Sequence, residues 1–296
     1  MALNQVARDD WQGLLAVAQE SLAAEDPVTA RRAATLAARA APATPEAQLA
    51  LGDVWNALGR HAEAIRAYRQ VIEQEPASAA AIIGLADALH ETGRDVEALP
   101  YCQKAVAVAP ENGELWATLG HVHTELGHHD DALAAYQKAL ELGMATADLY
   151  VSLGYLHYYR RDLDSSRQAF EQAIALEPDA ATPYNNLGYV HILLGDLDQA
   201  VARLDRALEL QPQFVRALYN RGLCAWLQGR QEQAIAYYAR GRSHDRGEAE
   251  LAAHREDLTE ILEYQAQWAD PLRQLGILLN RPAPSPQLRP ARRHGV

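Results

Sequence analysis

Apolar residues return every three or four positions from Trp11 to Glu248, in short stretches separated by polar breaks. That spacing predicts amphipathic α-helices, and no stretch alternates apolar and polar residues over enough length to make a sheet. The breaks are of two kinds. One carries glycine, at Gly59, Gly93, Gly127, Gly195 and Gly229, where a positive φ ends a helix. The other carries proline, at Pro42, Pro76, Pro110, Pro178 and Pro212, which a helix does not run into. The two kinds alternate along the chain, so the predicted helices come in pairs, as hairpins.

The hairpins repeat with a period of 34 residues. Ala18, Gly52, Ala86, Gly120, Gly154, Gly188 and Gly222 form a series of tiny residues at that spacing. Twelve positions on, Ala30, Ala64, Ala98, Ala132, Ser166, Ala200 and Ala234 form a second small series. Four positions beyond these stand Ala34, Tyr68, Cys102, Tyr136, Phe170, Leu204 and Tyr238, most of them large. A glycine inside a helix costs about 1 kcal/mol relative to alanine. Here the two small slots let paired helices approach more closely than the usual ~8–10 Å, and the large slot fills the flank.

This pattern resembles the tetratricopeptide repeat (TPR), a 34-residue helical hairpin with Leu-Gly, a Tyr-like residue, Ala, Phe and Pro at fixed offsets. The best copies are 181–214, with Tyr184, Leu187, Gly188, Ala200, Leu204, Ala207 and Pro212, and 113–146, with Trp116, Leu119, Gly120, Ala132, Tyr136 and Ala139. The resemblance implies an all-α fold, a right-handed superhelix or α-solenoid of hairpins. Its units are 11–44, 45–78, 79–112, 113–146, 147–180, 181–214 and 215–248, after a lead at 1–10. The pattern departs from the family at Glu25-Asp26, at Arg161 and Ser166, at Gly143-Met144, and at Gly241 and Arg246, without loss of register. Pro100 falls early in a second helix, behind a candidate cap at Asp95, where one lost backbone bond is tolerable. Residues 249–280 read as C-terminal capping helices: Leu251, Leu258, Ile261, Leu262 and Trp268 lie at helical spacing, and a short second helix is expected after Asp270-Pro271. Residues 281–296 hold four prolines and four arginines and read as a disordered basic tail.

The net charge is −12, and the tail's arginines are unmatched by acids, so the repeats alone are more acidic still. That balance argues against nucleic-acid binding. The opening residues lack a signal-peptide core and no run of eighteen apolar residues occurs, so a cytoplasmic protein without a membrane span is the simplest fit. Cys102 and Cys224 lie in distant repeats, too far apart for the ~6 Å of a disulfide. No phosphate loop or nucleophile elbow is present, and a non-enzymatic protein with no catalytic residue and no cofactor is expected. Histidines cluster at His121, His123, His128 and His129, and His123, His157 and His191 share one repeat position. Repeat-equivalent histidines about 10 Å apart cannot share an ion that needs its nitrogens within ~2.1 Å. The expectation is therefore no metal site, with His121, His128 and His129 on the turn as the remaining candidates.

By the resemblance, the first helix of each hairpin lines the inner face of the superhelix and presents the ligand-facing positions. Those positions hold Tyr155, Tyr158, Tyr159, Asn185, Asn186, Tyr189, Arg216, Tyr219, Asn220, Leu223 and Trp226 in the last three units. Asn186 and Asn220 stand where some TPR relatives pair an amide with a peptide backbone, offering both a donor and an acceptor. The competing reading is that these tyrosines pack between neighbouring hairpins. The earlier units offer an acidic groove of Glu46, Asp53, Asp87, Glu91, Glu114, Glu125 and Asp148, suited to a basic segment. The lysine clamp of TPR co-chaperones is missing, its slots holding Leu49, Asp53, Gly84, Glu114 and Thr118. The expected function is a protein-interaction scaffold binding an extended or basic peptide of a protein partner. The alternatives are a targeting or assembly subunit of a separately encoded enzyme, and a self-assembling structural protein. Arg289, Arg292 and Arg293 of the tail are candidates for the acidic groove of the same or a neighbouring molecule.

Overall fold

A computed structural model describes Leu3 and residues 6–280, in two compact units, Met1–Leu156 and His157–Val296. The basic tail lies outside the described residues.

The first unit is built from the hairpins α1 (Trp11–Ala23) and α2 (Pro27–Ala40), α3 (Pro45–Ala57) and α4 (His61–Gln74), α5 (Ala79–Glu91) and α6 (Asp95–Val108), and α7 (Gly113–Glu125) and α8 (His129–Glu141). Helix α9 (Ala147–Tyr159) runs on past its end. Partners within a hairpin pack on each other, and each second helix packs on the first helix of the next pair. The core is thus a continuous seam of small and medium side chains, among them Ala33, Leu51, Leu85, Leu89 and Val122. No strand occurs among the described residues.

The small slot works as the sequence predicts. A Cβ built on Gly52 would lie 2.6 Å from the Tyr68 ring, and one on Gly120 would lie 2.4 Å from the Tyr136 ring. The Tyr68 ring also fills the space beside Gly84, so one tyrosine is wedged against two successive first helices. Gly127 takes the expected left-handed turn at φ 74°, while Glu25 adopts φ 56° where most other units have glycine. A side chain in that region costs about 1–2 kcal/mol. Asp26 accepts the backbone N–H of Thr29 at 3.0 Å and, with Pro27 behind it, starts α2. Asp95 is not the expected cap: Arg94 precedes α6, and Asp95 is buried in its first turn with Oδ1 2.7 Å from His90 Nδ1. Helix α6 carries Pro100 without interruption.

The second unit continues with α10 (Leu163–Leu176), the pair α11 (Ala181–Leu194) and α12 (Leu197–Leu210), and the pair α13 (Val215–Leu227) and α14 (Gln231–His244). It ends in α15 (Ala249–Tyr264), a 3₁₀ turn (Ala266–Trp268) and α16 (Ala269–Leu279). Arg161 turns at φ 62°, and Asp162 and Asp196 cap the helices that follow through the N–H groups of Ser165 and Gln199, both at 3.1 Å. Helix α15 begins 34 residues after α13, as α13 does after α11, and packs on α13 like the first helix of another repeat. It then extends to 16 residues and packs on α11 as well. Helix α16 starts at Ala269, so Asp270 and Pro271 form its first turn instead of preceding it. It packs on α13 and α15, and Arg242 and Arg255 both donate to the Leu279 carbonyl at 2.6 Å, placing cations at its C-terminal end.

Candidate peptide-binding face

The side chains expected to line a groove in the second unit are largely spent on the chain's own C-terminal helices. Tyr158 and Tyr189 both donate to the Glu260 carboxylate of α15, Tyr189 at 2.8 Å. Arg216 Nε donates to Glu250 at 3.0 Å, and Trp226 Nε1 donates to the Pro271 carbonyl at 2.8 Å. Burial, followed by the charge of Asp257, drives the Tyr189 hydroxyl well above its ordinary pKa. Burial likewise lifts the Asp257 carboxyl to about 6, against the pull of Arg216 and with the support of Glu260. The capping segment thus closes an acidic, tyrosine-lined seam.

The two asparagines do not present free amides. Asn220 is 1 % exposed and donates to Asn185 Oδ1 at 3.1 Å, and Asn185 donates to Asn186 Oδ1 at 3.2 Å. All three sit buried on α11 and α13, the helices on which α15 packs. Tyr219 is fully buried between α14 and α15: its ring stacks on Tyr238 at 5.8 Å, lies 5.6 Å from the His254 ring, and its hydroxyl donates to Asp245 at 3.1 Å. Leu223 is fully buried too. The expectation of an open, peptide-reading surface at Asn185, Asn186, Tyr219, Asn220 and Leu223 is therefore corrected. Ladder packing within the unit and coverage by α15 take the faces a ligand would need. Tyr159 is 57 % exposed, its ring 5.3 Å from Tyr158, and Tyr155, in the first unit, is half-buried.

In the first unit the acidic positions stay at the surface. Glu46, Asp53, Glu91, Glu114, Glu125 and Asp148 are exposed and Asp87 is half-buried. Two are held in place: Tyr68 OH donates to Asp53 Oδ1 at 2.9 Å, and Asn56 Nδ2 donates to Asp87 Oδ2 at 2.7 Å. Asp53 and Asp87 are repeat equivalents, so the chain presents oriented carboxylates at one repeat spacing. At Asp87 a cavity of about 330 Å³ is lined by Ile83, Gly84, Asp87, Glu114, Leu115 and Thr118.

The histidines divide differently from the expectation. His121 stacks on His90 at 5.9 Å and contacts Ser152 Oγ at 3.2 Å through Nε2. His123 meets His128 across the turn, with Nδ1 of each ring 3.2 Å apart. His129 is half-buried at the start of α8. Cys102 and Cys224 are free, buried thiols, both pushed up to about 12 by burial.

Hairpins that pack a ring against a small residue and stack on the next pair define a helical-repeat protein, whose surfaces serve recognition. Family models described as tetratricopeptide repeat match residues 15–69, 57–113 and 185–249, and 145–213, and one described as TPR repeat matches 120–160. The chain belongs to the tetratricopeptide-repeat family. Among solved structures it is similar to MamA (25% identity, 54% of this chain and 94% of that one, TM-score 0.51). It is also similar to YrrB, described as a TPR protein with an unusual peptide-binding site (21%, 63% and 96%, TM-score 0.52). A third similar fold is a tetratricopeptide repeat protein from Parabacteroides merdae (18%, 85% and 98%, TM-score 0.61). No curated protein matches the sequence.

Proposed function

We propose that the protein is a non-enzymatic interaction scaffold that takes a basic, extended segment of a partner protein along the acidic first-helix face of its first unit. The observation that carries this reading is the pair of oriented carboxylates, Asp53 and Asp87, one repeat apart, with Asp87 lining the cavity of about 330 Å³. Evenly spaced carboxylates on rigid helices attract a cationic chain and fix its register, and like charges on the scaffold suppress acidic partners. YrrB, as a peptide-binding TPR protein, offers a precedent for the fold. The second unit, with its tyrosines and Arg216 engaged by α15, contributes structure in this reading.

The test uses a fluorescent peptide with the sequence of residues 281–296, which is basic and proline-rich, and the chain ending at residue 280. Anisotropy should show salt-sensitive binding, and a variant combining Asp53→Asn, Asp87→Asn and Glu114→Gln should bind at least about tenfold more weakly. Equal affinity of variant and parent at low salt would remove this reading.

A further inference from the structure

We propose that His123, His128 and Asp131 form a binding site for a divalent transition-metal ion of the zinc class. Nδ1 of His123 and Nδ1 of His128 face each other at 3.2 Å. Two nitrogens bound at ~2.0–2.1 Å to one tetrahedral zinc stand about 3.3 Å apart, so the pair is spaced as zinc ligands are. The Asp131 carboxylate completes the group, with all three donor atoms within 4.8 Å of one another. Asp131 is exposed, in the first turn of α8. His123 is buried and fixes the inner wall, while the exposed His128 leaves the outer coordination position to water or to a ligand from a partner. Two imidazoles and a carboxylate suit Zn²⁺, Ni²⁺ and Cu²⁺ rather than Mg²⁺ or Ca²⁺.

Comparison with the neighbouring repeats separates this arrangement from ordinary packing. His157 and His191 occupy the position of His123, and Asp162 and Asp196 occupy that of His128. Those aspartates cap the next helix through the N–H groups of Ser165 and Gln199, and Asp162 Oδ2 lies 3.7 Å from His157 Nδ1. His128 makes no side-chain cap bond to α8. Like the repeats with Arg60, Arg94 and Arg230 at this position, the repeat has no such cap, but only here does an imidazole stand in its place, with Asp131 where the next two repeats carry Ser165 and Gln199.

This site stands apart from the peptide-binding reading, and either can fail alone. Isothermal titration of the full chain with Zn²⁺ should show one site, and Co²⁺ should give the visible absorption of a four- or five-coordinate ion. His128→Asp restores the pair that the neighbouring repeats use, so it keeps the fold, as circular dichroism would verify. It should lower the Zn²⁺ affinity of this site at least about tenfold and abolish the Zn²⁺-dependent rise in melting temperature. His121→Ala, outside the site, should leave both unchanged. Absence of Zn²⁺ binding by the parent chain, or equal binding by His128→Asp, would overturn the proposal.

Discussion

The two units use the same hairpin to opposite ends. In the first, Asp53 and Asp87 hold their carboxylates at the surface on Tyr68 and Asn56. In the second, the repeat equivalents of Asp87 are Tyr189, tied to Glu260, and Leu223, which is buried. The difference is one of solvent and charge: apolar and aromatic faces need covering, and α15 and α16 cover them, whereas a carboxylate-bearing face is stable in water. An exposed aromatic cluster in a repeat protein is thus as readily satisfied by the chain's own terminal helix as by a partner.

The contrast is broken most severely by Ile261→Asp. Ile261 is fully buried on α15, and an unpaired carboxylate there should cost about 3 kcal/mol or more. Hydrogen exchange should speed up in α11, α13 and α15 and stay unchanged in α3 to α6. The first unit has its own sensitive point: Gly120→Ala places a Cβ against the Tyr136 ring and should destabilise by about 1–3 kcal/mol, read by urea denaturation.

Titration sharpens the contrast on α15, where two groups act with opposite sign. Asp257, raised to about 6 by burial, is protonated in the fold before it is in the unfolded chain, so its penalty is full above pH 6 and fades as pH falls toward 4. Asp257→Asn should therefore stabilise the second unit at pH 8, by about 1–2 kcal/mol after allowance for solvent screening, and little at pH 4. His254, lowered to about 3 by burial, stays neutral in the fold while the unfolded chain takes up a proton below pH 6.5. Its contribution is full above pH 6.5 and is lost progressively toward pH 3. His254→Gln should flatten that acid limb in thermal melts. The smallest effect belongs to Glu25, held at φ 56° with a Cβ; Glu25→Gly should stabilise the first unit by about 0.5–1 kcal/mol in the same melts.

The repeat architecture was legible because its determinants lie close together in sequence. Gly52 and Tyr68, or Gly120 and Tyr136, meet within one hairpin, and seven such pairings in phase leave little room for another fold. The glycine turns were legible for the same reason, whereas the left-handed backbone at Glu25 and Arg161 was not, because a side chain there carries no such signal. The fate of the C-terminal face was not. Tyr158 and Glu260 are 102 residues apart, and a lone carboxylate between two tyrosines has no sequence signature. Helix α15 also begins in register with the repeat, which hides that it reaches back to α11. The pairing of His123 with His128 could have been found by aligning the repeats, since Asp162, which lies 3.7 Å from His157, marks the same position as the partner of a histidine.

The most direct test of the account is hydrogen exchange of the chain ending at residue 280 with and without the basic peptide of residues 281–296. The account predicts that the peptide slows exchange in α3, α5 and α7 and leaves α11, α13 and α15 as they were. Protection of α11 and α13 accompanied by faster exchange in α15 would show that the peptide displaces the terminal helix, and would contradict it.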